Sequence, residues 1–218
     1  MAVTAPQTSE NADRQDASTR QKIVATALQA FSELGFDGAS TRSIATRAGV
    51  NQGLIPYYFG SKDALWREAV DWAFASMREA VDDFEVEGEL DERQRAAKLI
   101  RLFVRFVSQH PEFVRLMNEE GKRDGPRTRW LVERHVRPIH ERLSGLFESA
   151  AIHGRLPEGV DALHFHYIFV GAVSALFHQA PECRLLTGCD PSDPAVAERH
   201  ADALIHLFLG EISESSEL

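Results

Sequence analysis

Residues 41–58 read TRSIATRAGVNQGLIPYY, and the spacing inside that stretch decides the fold of the first third of the chain. Ala45 is small, as a close crossing of two helices requires, and Gly49 four residues later supplies the positive φ of a tight turn. Ile44, Val50 and Ile55 are apolar where the two helices must lock together. Polar Asn51 and Gln52 then open the second helix. This is helix-turn-helix spacing, in which the start of the second helix meets base edges in the major groove and Asn or Gln pairs bidentately with adenine. For the spacing alone, the bland alternative is a helical hairpin that merely contains a glycine.

On either side of this stretch the pattern is helical. Ser18 or Thr19 caps a first helix with Ile23, Ala27, Phe31 and Leu34 on one face, and Gly35 ends it. Ser40 or Thr41 opens the second helix, Asn51 the third, and Ser61 a longer fourth that reaches about Phe84 and links two domains. Further on, the spacing predicts helices from Asp91 to His110, Glu112 to Glu120 and Pro126 to about Ile152, the last kinked at Pro138. Two more are expected over Val160 to Gln179 and Pro194 to Glu214, with a Pro- and Gly-containing loop between them. No alternating strand pattern occurs, so the expected fold class is all-α with about nine helices. Residues 1–17 are polar and read as a disordered lead-in, followed by a DNA-binding unit over 18–65 and a ligand-binding and dimerisation unit over 66–218.

The following residues, GLIPYYFGSKDAL (53–65), with AFSELGFDGASTRSIATRAGV (30–50) before them, resemble the TetR family of bacterial transcription regulators. The resemblance covers the first helix through Leu65. It implies an all-α homodimer that binds a palindromic operator and is released by a small-molecule ligand in the C-terminal domain. Carried over by position, it puts Thr41 and Arg42 near phosphates, Asn51, Gln52 and Gly53 at the groove, and Tyr57, Tyr58 and Lys62 on the backbone. Tyrosine hydroxyls and a lysine ammonium do donate to phosphate oxygens. Pro56 departs from the family pattern, in which many members have a tyrosine, serine or similar residue, and proline inside a helix removes a backbone bond.

Overall charge speaks against DNA, and its distribution speaks for it. The chain carries a formal charge of −9, but Arg14 to Arg67 holds seven basic residues against four acidic. Cys183 and Cys189 match neither a redox pair nor a zinc pair in their spacing, and a reduced cytoplasmic setting without disulfides is the simpler expectation. The N-terminus lacks a signal-peptide pattern, and no segment is apolar for the ~20 residues a membrane span needs.

Leu163 to Phe177 is apolar nearly all round, as a helix buried on two sides must be. Leu163, Val170, Val173 and Phe177 there, with Leu204, Ile205, Phe208 and Ile212 on the last helix, are the candidate dimer seam. Aromatic walls with a few polar groups make small-molecule pockets. Phe103, Phe106, Phe113, Met117, Trp130 and Phe177 are the candidate walls for a mainly apolar effector, with Arg129, His166 or Tyr167 as anchor. Nine histidines invite a metal-dependent or enzymatic alternative, but Asp161-x-x-His164 is the nearest approach to a di-metal motif, and no nucleophile-base signature or phosphate-binding loop is present. No catalytic residue, metal or cofactor is therefore expected.

Overall fold

The computed structural model describes residues 7–85, 91–141 and 160–210, and all regular structure among them is helical. The N-terminal part holds α1 (Gln7–Gly38), α2 (Thr41–Ala48), α3 (Leu54–Phe59) and α4 (Lys62–Glu85). The first helix is broken at Gly35, which has φ 67° and ψ 173°, so the expected stop after Leu34 falls at a real change of direction. Its start corrects the expected lead-in, because residues 7–17 are helical rather than disordered. Gln, Glu, Ala and Arg in that stretch have good helix propensity, and its acids lie near the favourable end of the helix dipole. A helix already anchored by Ile23 and Ala27 has only to propagate through them.

The second part holds α5 (Glu92–Gln109), α6 (Pro111–Gly121), α7 (Pro126–Leu131), α8 (Ala162–His178), α9 (Ala180–Thr187) and α10 (Pro194–Leu209). Asp91 and Gln94 form a capping box at the start of α5, and Pro111 and Pro126 stand in the first turns of their helices, where no N–H is missed. Where a loop was expected after residue 179, α9 forms. Pro181 in its first turn and Gly188 just past its end are the boundaries of a short helix, not the residues of a loop. The expected ends at Ile152 and Glu214 lie outside the described residues.

Beyond Leu131 the chain continues through a π-helical turn (Val132–Val136) into helical residues 137–141. Arg137 N–H reaches back to Val132 O, one residue further than an α-helix would. The expected irregularity at Pro138 therefore takes this form. A proline ring crowds the carbonyl four residues before it, and widening the preceding turn relieves that contact.

One continuous apolar core runs through both parts. Ile23, Phe31, Ile44, Ile55, Leu65 and Trp66 fill the N-terminal end, and Val104, Val107, Leu131, Phe169 and Val173 fill the other. Helix α1 packs on α4 and α6, while α5 packs on α10 and α8. His135, on the π turn, is almost wholly buried where α4 meets this segment. Its ring stacks on Phe74 at 4.3 Å, its Nε2 lies 2.9 Å from Asp71 Oδ1, and its Nδ1 lies 3.4 Å from Arg78 Nη1.

Burial holds the His135 pKa below its ordinary 6.5; Asp71 opposes this, and Arg78 and Arg134 reinforce it. His166 is lowered as well, by burial and then by His140. The unfolded chain thus binds protons at a pH where the folded chain does not, so this stability is full above 6.5 and is lost as pH falls below it. The urea midpoint should therefore drop between pH of about 7 and about 5, before most carboxylates titrate. His135→Phe, which keeps a ring against Phe74, should flatten that drop; an unchanged slope would contradict the assignment.

Candidate nucleic-acid interface

Ser40 and Ser43 start α2 by capping each other. Ser43 N–H donates to Ser40 Oγ at 3.0 Å, and Ser40 N–H donates to Ser43 Oγ at 3.2 Å. The helix stops at Gly49, which is left-handed at φ 64° and ψ 36°, and Val50 N–H closes the turn on Ala45 O at 3.0 Å. Any other residue at 49 would be strained by that backbone. Ile44, Ala45 and Ile55 are buried at the crossing, as the spacing predicts; Val50 is partly buried against the same core, and Ala48, which the spacing did not single out, is buried with them.

The start of α3 separates two residues that the sequence treats alike. Asn51 Oδ1 accepts the N–H of Gly53 at 2.8 Å, so this side chain turns the backbone into the helix. A Cβ on Gly53 would stand 3.1 Å from that oxygen, which accounts for the glycine although its φ of −61° is ordinary. Gln52 is exposed beside it. Pro56 is the third residue of α3, where an N–H has no intrahelical acceptor, and its carbonyl accepts Gly60 N–H at 3.0 Å, so it does not disturb the helix.

The two tyrosines also part company. Tyr57 is 75% exposed, whereas Tyr58 is half-buried and its hydroxyl donates to Asp16 in a short hydrogen bond. That bond, with burial and the Asp16 charge, pushes the Tyr58 pKa up to about 12. Sequence reasoning missed Asp16 because it lies 42 residues away, inside the stretch read as lead-in. Lys62 occupies the first turn of α4, an unfavourable place for a cation, and its Nζ lies 4.5 Å from the centre of the Phe36 ring. Arg127 covers the same ring at 3.8 Å.

Thr41, Gln52, Gly53 and Lys62 share one open depression of about 430 Å³, together with Ile55, Pro56, Gly60 and Ser61. Arg42 is exposed one residue along α2. Of the basic residues in this part, Arg20 pairs with Glu68, Arg47 with Glu33 and Arg67 with Asp63. Arg14, Lys22, Arg42 and Lys62 form no ion pair among the described residues and carry uncompensated positive charge.

The candidate effector residues do not form one wall. Phe106 and Phe113 pack together at 5.3 Å, and Phe113 continues to Phe74 at 4.9 Å. Phe103 and Met117 are partly buried against the core, with Phe103 facing Phe169 at 6.0 Å. Trp130 sits instead against Trp66 at 5.6 Å, at the joint with the N-terminal part. Arg129 and Tyr167 are exposed, which removes them from an inner wall. His166 is half-buried, 4.8 Å from His140, and its Nδ1 is buried without a hydrogen-bond partner.

The seam residues divide in the same way. Val173, Phe177 and Leu204 are buried in the protomer's own core, so they do not face a partner. Val170, Ile205 and Phe208 are partly buried, Phe208 packing on Phe165 and Phe169. Ile212 lies outside the described residues. The exposed apolar side chains of α8 and α10 are Leu163, Tyr167, Ile168 and Leu207. A helix apolar on every side does not declare which face its own core takes.

Together the folded turn, the exposed start of α3 and the helical companion part define a helix-turn-helix protein. Residues 23–69 match the model of the bacterial regulatory proteins of the tetR family, and residues 93–207 match the tetracyclin repressor-like C-terminal domain. The chain belongs to the TetR family. It is similar to the HTH-type transcriptional repressor NicS of Pseudomonas putida, with 32% identity over 53% of this chain and 52% of that one. It is also similar to the HTH-type transcriptional regulator RutR of Escherichia coli, with 25% identity over 87% and 88%. The chain thus spans about half the length of NicS and most of RutR. AibR, solved with isovaleryl coenzyme A and operator DNA, shares the fold at a TM-score of 0.71 and 16% identity, over 89% of this chain and all of that one. No described helix is long and apolar enough to cross a membrane.

Asn51→Ala, which removes the turn-forming bond to Gly53 N–H, should cost about 1 kcal/mol of fold stability, as the loss of an intramolecular hydrogen bond does. Gln52→Ala, on an exposed position, should stay within about 0.5 kcal/mol. Urea melts of the two variants check this, and equal losses would show that the bond from Gly53 N–H to Asn51 does not hold the turn.

Proposed function

We propose that this chain is a ligand-responsive DNA-binding transcription regulator. Residues 18–65 read a palindromic operator, and residues 66–218 dimerise and hold a small, mainly apolar effector that releases the DNA. The observation that carries this reading is the gathering of Thr41, Gln52, Gly53 and Lys62 on one open surface, at the basic end of an otherwise acidic chain. Gln52 is the base reader, since Asn51 is engaged by its own backbone. Lys62, Arg42 and the free hydroxyl of Tyr57 meet phosphates; Tyr58 is held by Asp16 and contributes packing.

Release follows from the way the two parts are joined. The end of α1 meets the α6–α7 connection through Arg127 over Phe36 and through Asp37 with Arg123 at 2.7 Å. An effector that moves α6 or α7 therefore moves α1, on which α2 rests and to which Tyr58 of α3 is tied through Asp16. AibR, which was solved with both an acyl coenzyme A and its operator, supports the pairing of an effector with DNA in this fold. By reciprocity, operator must weaken effector binding by the same factor by which effector weakens operator binding.

Operators selected from genomic fragments by the purified protein give the probe for fluorescence anisotropy. Affinity should fall as salt rises, and Lys62→Ala should weaken every duplex alike while lowering the salt slope by about 1. Gln52→Ala should change the preferred base at one position of each half-site, a discrimination of ~1–3 kcal/mol. Tyr57→Phe should weaken binding more than Tyr58→Phe. Failure to retain any duplex, or salt-independent retention, would sink the reading. For the dimer, Ile168→Asp or Leu207→Asp places a charge on the exposed apolar face and should yield a folded monomer in light scattering, whereas Leu204→Asp should unfold the protomer. A native monomer would refute the seam.

A further inference from the structure

The spacing of Cys183 and Cys189 in sequence suggests no pairing, but the end of α9 brings them together. Gly188 is left-handed at φ 72°, and its N–H closes the helix on Arg184 O at 3.0 Å. A helix ended in this way turns back on itself, so the residue after the glycine approaches the side chain at the start of the last turn. Here those two positions are Cys189 and Cys183.

Cys183 Sγ stands 3.9 Å from the Cys189 carbonyl oxygen. The hydroxyl of Thr187 ties the two cysteines, accepting Cys189 N–H at 3.1 Å, donating to Cys183 O at 2.8 Å and lying 3.7 Å from Cys183 Sγ. Arg184 and Asp190, at 3.1 Å, hold the same turn from their neighbouring positions. Both cysteines are free, Cys183 half-buried and Cys189 exposed. A Cβ on Gly188 would meet nothing within 4 Å, so the space beside the turn is open to a small oxidant.

We propose that Cys183 and Cys189 are a thiol modification site that closes reversibly to an intrachain disulfide under hydroperoxide. The thiolate of exposed Cys189 attacks one peroxide oxygen; an S–O bond forms, the O–O bond breaks and one water leaves after protonation. The Cys183 thiol then attacks that sulfur; the S–S bond forms, the S–O bond breaks and a second water leaves. Two thiols are oxidised by two electrons and one hydrogen peroxide becomes two waters. An external dithiol reverses the change. The bond fixes the turn between α9 and α10 and does not touch the DNA-facing end, so it stands or falls independently of the proposed function.

The test uses the full native chain treated with hydrogen peroxide, capped at remaining thiols and digested with trypsin. Arg184 lies between the two cysteines, so the disulfide joins residues 156–184 to residues 185–199, and reduction separates them. Expected are loss of both cappable thiols, the joined peptide pair from monomeric chains, and its absence in Cys183→Ser and Cys189→Ser. Closure should also be faster in the folded protein than in urea. Separately capped cysteines, a sulfinic acid at Cys189, a bond between two chains, or equal closure rates folded and unfolded would each overturn the proposal.

Discussion

The burial of Trp66 is the constraint on which the rest depends. Its side chain is fully buried on α4, with Phe36 at its edge at 6.5 Å and Trp130 of α7 at 5.6 Å, and Phe31 stacks on Phe36 at 5.8 Å. One line of rings thereby joins α1, α4 and α7. Removing a buried aromatic of this kind costs about 3–5 kcal/mol. A cation over a ring adds ~0.5–1 kcal/mol at exposed sites, and an exposed ion pair such as Asp37–Arg123 about 0–1. Packing sets the relation of the two parts; the charges at their edge adjust it.

That hierarchy explains the division of labour among the basic residues. Arg20 of α1 pairs with Glu68 of α4 and Arg47 of α2 with Glu33 of α1, so both brace the N-terminal helices against each other, while Arg67 is balanced by Asp63 one turn back on α4. What remains for a polyanion is a small set of charges around the start of α3. On the proposed function, a chain with a net charge of −9 has few cations to offer phosphates, and its discrimination rests on shape and on few contacts.

The helix-turn-helix was legible in the sequence because every requirement is local: a small residue, a left-handed glycine and three apolar positions within a dozen residues. The role of Asn51 was not, because asparagine serves equally as a base reader and as a turn former, and only the folded backbone chooses. Tyr58 depends on Asp16, a partner far away in the chain and invisible to any short-range pattern. Which side the effector and seam residues take was not legible for a different reason. On a helix apolar all round, periodicity cannot tell the core from the surface, so Val173 and Tyr167 look alike until α5 and α10 take their places. In α9, proline and glycine were read as loop residues although their order, proline first and glycine last, is that of a helix.

The π turn before Pro138 has a geometric consequence downstream. An extra residue in one turn offsets every later side chain by about 100° around the axis relative to an uninterrupted α-helix. His140, four residues past the turn, meets His166 of α8 with that offset in place, at 4.8 Å between ring centres. A substitution at position 138 that let the helix relax to regular winding would rotate His140 away from His166. Proline there acts as the index mark of a screw thread, setting which side of the next turn is presented to α8.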